Sequence, residues 1–188
     1  MSACHAKLMH SGPSNAGPAT AELRHEHEII LRGLALLDRA AERLQAGPPP
    51  DEATLQTLVG FLQGFADRCH HGKEEHELFP VLEAKGVGSL LSVFREEHEE
   101  GRGYLRTLAT PGPAAERAAA ARRYSSLLRA HIERENEILF PMAEEVLSLD
   151  EHDLLARRYE EVERETMGVG AHDALLGTLA RLETTLPE

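Results

Sequence analysis

The sequence predicts an all-α protein: an antiparallel up-and-down four-helix bundle with one or two extra C-terminal helices. Three observations carry this. Phe, Trp and Tyr make up only 4% of the 188 residues and Trp is absent, so strand formers are scarce, while the helix formers Ala, Leu, Glu and Arg abound. Apolar residues recur at steps of three and four over four long stretches, as on one face of a packed helix. The breaks between those stretches are short and rich in Pro and Gly, so successive helices turn back on one another.

Residues 1–19 read as a flexible tail from their Gly, Pro, Ser and Asn content. Residues 20–147 are the expected bundle and 148–188 a helical extension. Thr20 is the expected N-cap of the first helix, whose inner side reads His27, Ile30, Leu34, Leu37, Ala41, Leu44 before Gly47-Pro48-Pro49-Pro50 ends it. Asp51 can cap a second helix carrying Leu55, Leu58, Leu62, Ala66, His70, Glu74 and Leu78 on one side; Pro80 is expected to bend or shorten it and Gly86 to stop it. Ser89 can cap a third, with the stripe Leu91, Phe94, His98, Gly101, Leu105, Leu108. After Pro111-Gly112-Pro113, a fourth helix points Tyr124, Leu127, Leu128, His131, Glu135, Ile138 and Leu139 inward, with Pro141 breaking its ladder near the end. Ser148 or Asp150 can cap a fifth helix to about Thr166, and a short last helix follows the turn Gly168-Val169-Gly170.

The charge balance excludes some functions. Lys and Arg number 20 against 32 Asp and Glu, a net charge of −12, which repels nucleic acid and anionic membranes. No apolar run approaches the roughly 18–20 residues of a membrane span, and the first twenty residues hold no secretory apolar segment; a cytoplasmic protein is expected. Two cysteines, Cys4 and Cys69, make no disulfide framework, and Cys69 reads as a small buried hydrophobe.

Histidine is the conspicuous residue, with 11 copies. It appears within an internal repeat. His70, Glu74, Phe79 and Pro80 match His131, Glu135, Phe140 and Pro141, while Arg24, Glu26, His27 and Glu28 match Arg95, Glu97, His98 and Glu99. The first two helices therefore echo the next two, and an approximate two-fold axis follows. Residues four apart share a helix face, so His70 with Glu74, and His131 with Glu135, point to one place, and His27 and His98 add an imidazole each. Burying such groups without partners costs several kcal/mol; a metal turns that cost into stability. Two His-x-x-x-Glu pairs and two further His form a ligand set for two ions. The mixed nitrogen and oxygen set suits iron. On two six-coordinate irons, four His, two bridging Glu and an oxo or hydroxo bridge leave about two of about twelve positions open, which points to redox or gas chemistry over storage. A ferritin-type store uses Glu-x-x-His instead. Two other classes remain: a hydrolase with two zincs, which needs an acid–base residue and a cleft, and a metal-free helical interaction module.

The His-x-x-x-Glu…Phe-Pro stretches and the two Glu-His-Glu helix starts resemble the hemerythrin-like, or HHE cation-binding, family, over roughly Leu23 to Val146. The resemblance implies a four-helix bundle around a carboxylate-bridged di-iron centre. Its ligands would be His27, His70, Glu74, His98, His131 and Glu135, with Glu74 and Glu135 bridging. It also implies a small diatomic ligand or peroxide as partner. Oxygen carriers of the family have a fifth His four positions after the residue matching His98; Arg102 stands there, which points away from simple oxygen carriage. The four-His, two-Glu set looks more like di-iron proteins that repair iron–sulfur centres after nitrosative or oxidative stress, although those carry a further N-terminal cysteine-motif domain where this chain has a short tail with Cys4. Other members sense oxygen or iron, or decompose peroxide.

Several residues keep two readings. His71, about 100° round the helix from His70, is a fifth nitrogen donor, a hydrogen-bonding neighbour of the site, or a solvated boundary residue. Gly101 leaves room for a ligand, or lets helices pack closely. Glu163 and His172 are candidates to cover the site. His25 reads as surface, and Glu75, Glu77, Glu97, Glu99 and Glu100 as a solvated face.

Overall fold

The computed structural model describes residues 17–168 and 170–186, with side chains for all of these except residues 171–173. The expectations for the tail, for Cys4 and for the side chain of His172 lie outside the described residues. All regular structure among the described residues is helical. Six helices follow in order. They are α1 (Pro18–Ala46), α2 (52–84), α3 (Gly88–Ala109), α4 (114–146), α5 (Leu149–Thr166) and α6 (Ala171–Thr185).

Local chemistry sets most of the ends. Gly17 is the N-cap of α1, with Pro18 in its first turn, where a missing N–H costs nothing. The expected cap, Thr20, lies inside the helix; its buried hydroxyl donates to the Gly17 carbonyl at 3.1 Å or to Glu144 Oε1 at 3.0 Å. Asp51 caps α2 through the Thr54 N–H. Gly86, with φ +89°, turns the chain after α2 in a conformation that favours glycine. Helix α3 starts at Gly88 without a side-chain cap, so Ser89 does not serve. Ser148 and Glu151 form a reciprocal capping box on α5.

Helices α2 and α4 are not uniform. The stretches Leu62–His71, Glu74–Leu78 and Glu135–Leu139 are π-helical. Pro80 and Pro141 each sit in the first turn of a short α-helical segment that resumes after a π stretch near the helix end, so the regular α-helical ladder is interrupted just before each of them, where the widened backbone absorbs the lost donor. The same widening corrects one expectation. Ile138, expected inside, is 45% exposed, while Leu139 and Phe140 are buried, because the wider turn shifts the inward face.

Helix α4 packs along both α1 and α3; α5 lies on α1 and on the π-helical part of α2, and α6 on α1 and the start of α2. Two apolar cores result. One holds Ala19 and Leu23 of α1, Leu78 and Leu82 of α2, Leu91 and Phe94 of α3, and Leu139 and Ala143 of α4, closed by Leu155 and Tyr159 of α5. The other holds Ile30 and Leu34, Leu55 and Leu62, Leu105 and Leu108, and Ala121 and Leu128 from the same four helices, with Leu179 and Leu182 of α6. His27, His70, Glu74, His98, His131 and Glu135 fall between them along every helix. The extension thus contributes to both cores.

Gly33 marks a close approach of α1 and α2: a Cβ there would stand 2.7 Å from Phe61 Cε1. At Gly60, exposed in α2, a Cβ would meet nothing within 4 Å. Gly60→Ala is therefore expected to stabilise the chain by up to about 1 kcal/mol. Gly33→Ala should destabilise it, the overpacking cost of about 1–3 kcal/mol exceeding the propensity gain. Thermal melts of the two variants should move in opposite directions.

Candidate metal centre

The side chains of His27, His70, Glu74, His98, His131 and Glu135 are at most 1% exposed, and all six meet in one chamber. The imidazoles come in two facing pairs. His27 Nε2 lies 3.0 Å from His70 Nε2, and His98 Nε2 lies 3.0 Å from His131 Nε2. The two carboxylates span both pairs. Glu135 has Oε2 3.2 Å from His27 and Oε1 3.1 Å from His131. Glu74 has Oε1 3.7 Å from His70 and Oε2 3.5 Å from His98.

The outer nitrogens fix the tautomers. His70 Nδ1 lies 2.9 Å from Glu26 Oε2, His98 Nδ1 2.7 Å from Glu75 Oε1, and His131 Nδ1 2.8 Å from Glu97 Oε2. An ionised carboxylate only accepts, so each of these Nδ1 atoms carries the hydrogen and donates it outward. His27 Nδ1 faces the Asn136 side-chain oxygen at 3.1 Å in the same sense. Without metal, Glu135 and Glu97 outweigh burial at His131 and bring its imidazole up to about 9, so that ring holds a second proton on Nε2. Once a metal displaced it, all four Nε2 lone pairs would point into the chamber, the arrangement typical of metal-binding histidines.

Each outer acceptor is balanced by a cation. Lys73, wholly buried, donates to Glu26 at 2.6 Å and to Glu22 at 2.7 Å. Arg102 holds Glu75 at 2.8 Å and Asp67 at 2.7 Å. Arg134 pairs with Glu97, and Arg24 donates to Asn136 Oδ1 at 3.2 Å and to the Asn136 backbone carbonyl at 2.8 Å. Burial works against the Lys73 charge, but Glu26 and Glu22 outweigh it and hold the ammonium above its ordinary range. Burial likewise opposes ionisation of Glu75, yet His98 and Arg102 bring its carboxyl down to about 2.

Inside the chamber the groups strain against one another. Burial and the facing Glu135 push the Glu74 carboxyl well above the ordinary carboxylate range. Burial acts on Glu135 in the same way, but the His131 and His27 imidazoles outweigh it and keep it ionised. Burial lowers His70 and His98. Neither oxygen of Glu74 or Glu135 has a hydrogen-bond partner. Orphaned buried polar atoms cost about 1–3 kcal/mol each, and more when charged. A cation between each imidazole pair satisfies four lone pairs and four carboxylate oxygens together, so the residues fit a metal. The donor atoms fall into two groups, each with its atoms within 4.8 Å of one another: His27, His70, Glu74 and Glu135, and His71, Glu74, His98 and His131.

His71 is no solvated boundary residue. It is 2% exposed, with its ring stacked on that of His98 at 3.8 Å. Gly101 is resolved as close packing: a Cβ there would meet Tyr124 Cε2 at 3.4 Å and Leu127 Cδ2 at 4.0 Å, so the tyrosine ring fills the space. Glu163 stands beside Lys73, with Oε2 3.6 Å from Nζ. Cys69 is buried, and burial pushes its thiol up to about 12. His25 is exposed beside Glu28.

Sequence reasoning missed the outer ring. Glu75 and Glu97, read as solvated, accept from His98 and His131, and Glu26, Asn136 and Lys73 were not singled out. The repeat held the signal. Glu26 precedes His27 as Glu97 precedes His98, and Lys73 stands before Glu74 as Arg134 stands before Glu135.

The chain is similar to known proteins. Two relatives are 28% identical over 186 residues, covering 93% of this chain and 73% of their own length: the uncharacterized protein Mb2018 of Mycobacterium bovis and the uncharacterized protein Rv1995 of Mycobacterium tuberculosis. The model of the hemerythrin HHE cation binding domain matches residues 19–143, a span that takes in all four helices of the chamber. The chain therefore belongs to the hemerythrin HHE cation-binding family.

Proposed function

We propose that the chamber binds two iron ions, one between His27 and His70 and one between His98 and His131, with Glu74 and Glu135 bridging them. The observation that carries this reading is the split of each carboxylate, one oxygen toward each imidazole pair. The supporting scaffold is an antiparallel up-and-down four-helix bundle. Along α1 and α3 the chain runs from the Phe94 core to the Leu108 core, and along α2 and α4 it runs back.

Bound there, an iron pair supplies redox-active positions for a small ligand. The protein's own residues set what can reach them. The chamber lies between apolar layers, with the Phe140 ring stacked on His27 and the Phe79 ring on His98, so only a small molecule fits. A surface cavity of about 300 Å³ has Asp67, Gly72, Glu75 and Arg102 in its wall, which brings solvent to the residues flanking His71 and His98. Oxygen, peroxide or nitric oxide is the proposed partner, in handling or sensing oxidative or nitrosative stress in the cytoplasm. Among the described residues no helix is long and apolar enough to cross a membrane. The buried chamber disfavours a zinc hydrolase, whose substrate needs a cleft. The orphaned carboxylates disfavour a metal-free module.

Metal analysis of the purified protein, with an absorption spectrum of the same sample, tests this. The expected result is about two irons per chain with charge-transfer bands in the near ultraviolet. Zinc at that occupancy, or no metal after anaerobic ferrous loading, would overturn it.

A further inference from the structure

The internal repeat is nearly symmetric around the chamber. His27 and Glu26 correspond to His98 and Glu97, and His70, Lys73 and Glu74 to His131, Arg134 and Glu135. Next to the donors the symmetry fails at Cys69, whose counterpart is Ala130, and at two places that change a metal donor or the acceptor of one. His71 has Ile132 as its counterpart, and Glu75 has Asn136.

Both of the latter breaks favour the same pocket. His71 contributes a nitrogen to the group formed by Glu74, His98 and His131 and to no other metal-competent group among the described residues. It is buried, and neither ring nitrogen has a hydrogen-bond partner; Asp67 is 3.8 Å away, beyond hydrogen-bond reach. Two orphaned nitrogens on one buried ring call for a ligand. Ile132, its counterpart, is buried in an apolar core and offers no donor. Likewise His98 and His131 both donate to carboxylates, whereas His27 donates to the neutral amide of Asn136. A carboxylate partner makes an imidazole a stronger metal donor than an amide does. Arg102, one turn past His98, has no lone pair to offer and is engaged by Asp67 and Glu75.

We propose that His71 is a fifth imidazole ligand, given to the ion between His98 and His131 alone, so that the two metal positions are unequal. This rests on the two-ion reading above. The fifth nitrogen comes from α2, not from the helix that carries His98. The His98/His131 pocket fills first and holds its ion more tightly.

The test is anaerobic titration of the metal-depleted full chain with ferrous or cobaltous ion, followed by calorimetry. The wild type should bind two ions in two resolved steps. His71→Phe keeps a ring stacked on His98 and deletes both nitrogens. It should still bind two ions, with the tighter step weakened at least about tenfold and the weaker step changed by less than about threefold. Its metal-free melting temperature should equal or exceed that of the wild type, because two orphaned buried atoms are gone. In His71→Ala, added imidazole should restore the tighter step, which a merely structural role would not allow. Unchanged affinities in His71→Phe, or equal losses in both steps, would overturn the assignment while leaving the two-ion reading intact. A wild type that binds fewer than two ions would instead overturn the two-ion reading.

Discussion

Glu74→Met is expected to abolish paired metal binding without weakening the metal-free fold. Glu74 sends one oxygen toward His70 and the other toward His98, so its loss removes a donor from both pockets together. The fall in affinity should exceed the roughly 10–100-fold that changes to hydrogen-bond partners of ligands cost, leaving at most one weakly held ion. Without metal the same carboxyl is a burden. It is wholly buried, neither oxygen has a hydrogen-bond partner, and Glu135 faces it. A methionine of similar length restores apolar contact, and removing the orphaned group should gain about 1–3 kcal/mol. Metal quantitation and paired thermal melts, with and without iron, check both halves. The wild type should gain stability on loading by mass action, and the variant should not. Two ions retained in Glu74→Met would remove the bridging role. Equal destabilisation of the metal-free and loaded forms would make Glu74 a structural residue only.

What the sequence disclosed follows from which patterns survive without knowledge of neighbours. The periodicity of α1 and α3 predicted their buried stripes, since both are regular α-helices in which 3.6-residue spacing holds. The site itself was legible for the same reason the repeat was: ligands sit at fixed spacing on one face, so His70 with Glu74 and His131 with Glu135 stand out. Where the backbone widens into π-helix, the inner side predicted for α2, from Leu55 to Leu78, still proved buried throughout. On α4 the count slipped at Ile138, because a π turn advances the face by one residue and nothing in a 3.6-residue count announces it. The outer ring was hidden for another reason. Glu97 is next in sequence to His98 but serves His131 on another helix, and Glu26 is next to His27 but serves His70. Adjacent residues on a helix point about 100° apart, so an acceptor beside a ligand can only reach a neighbouring helix. That geometric step was available from the repeat, and it would have moved Glu97 from the solvated face to the site.

Lys73 carries the second large expected effect. Its ammonium is wholly buried between Glu26 and Glu22, lies 5.7 Å from the centre of the Tyr159 ring, and holds the acceptor of His70 in place. Lys73→Met would leave Glu26, itself 2% exposed, as a buried anion with no cation of its own. Breaking a buried pair in this way costs about 3–5 kcal/mol, about 6–20 °C of melting temperature at roughly 2–4 °C per kcal/mol. The metal should loosen as well, because His70 loses the carboxylate that orients it. Arg134→Met is the internal control, since Arg134 occupies the repeat-equivalent position before Glu135 and pairs with Glu97. Its side chain is 38% exposed and that of Glu97 16%, so water takes over much of what the pair supplies. Its loss should cost no more than about 1 kcal/mol. Two cations at matching positions, each neutralising the acceptor of a chamber histidine, thus differ severalfold in expected effect through burial alone. The double variant Lys73→Met with Glu26→Gln decides whether the charge is the cause. Removing both charges should recover most of the lost stability, a strongly non-additive result, while metal affinity stays reduced because His70 then faces an amide. Additive losses would instead assign the cost to packing of the Lys73 stem against Tyr159.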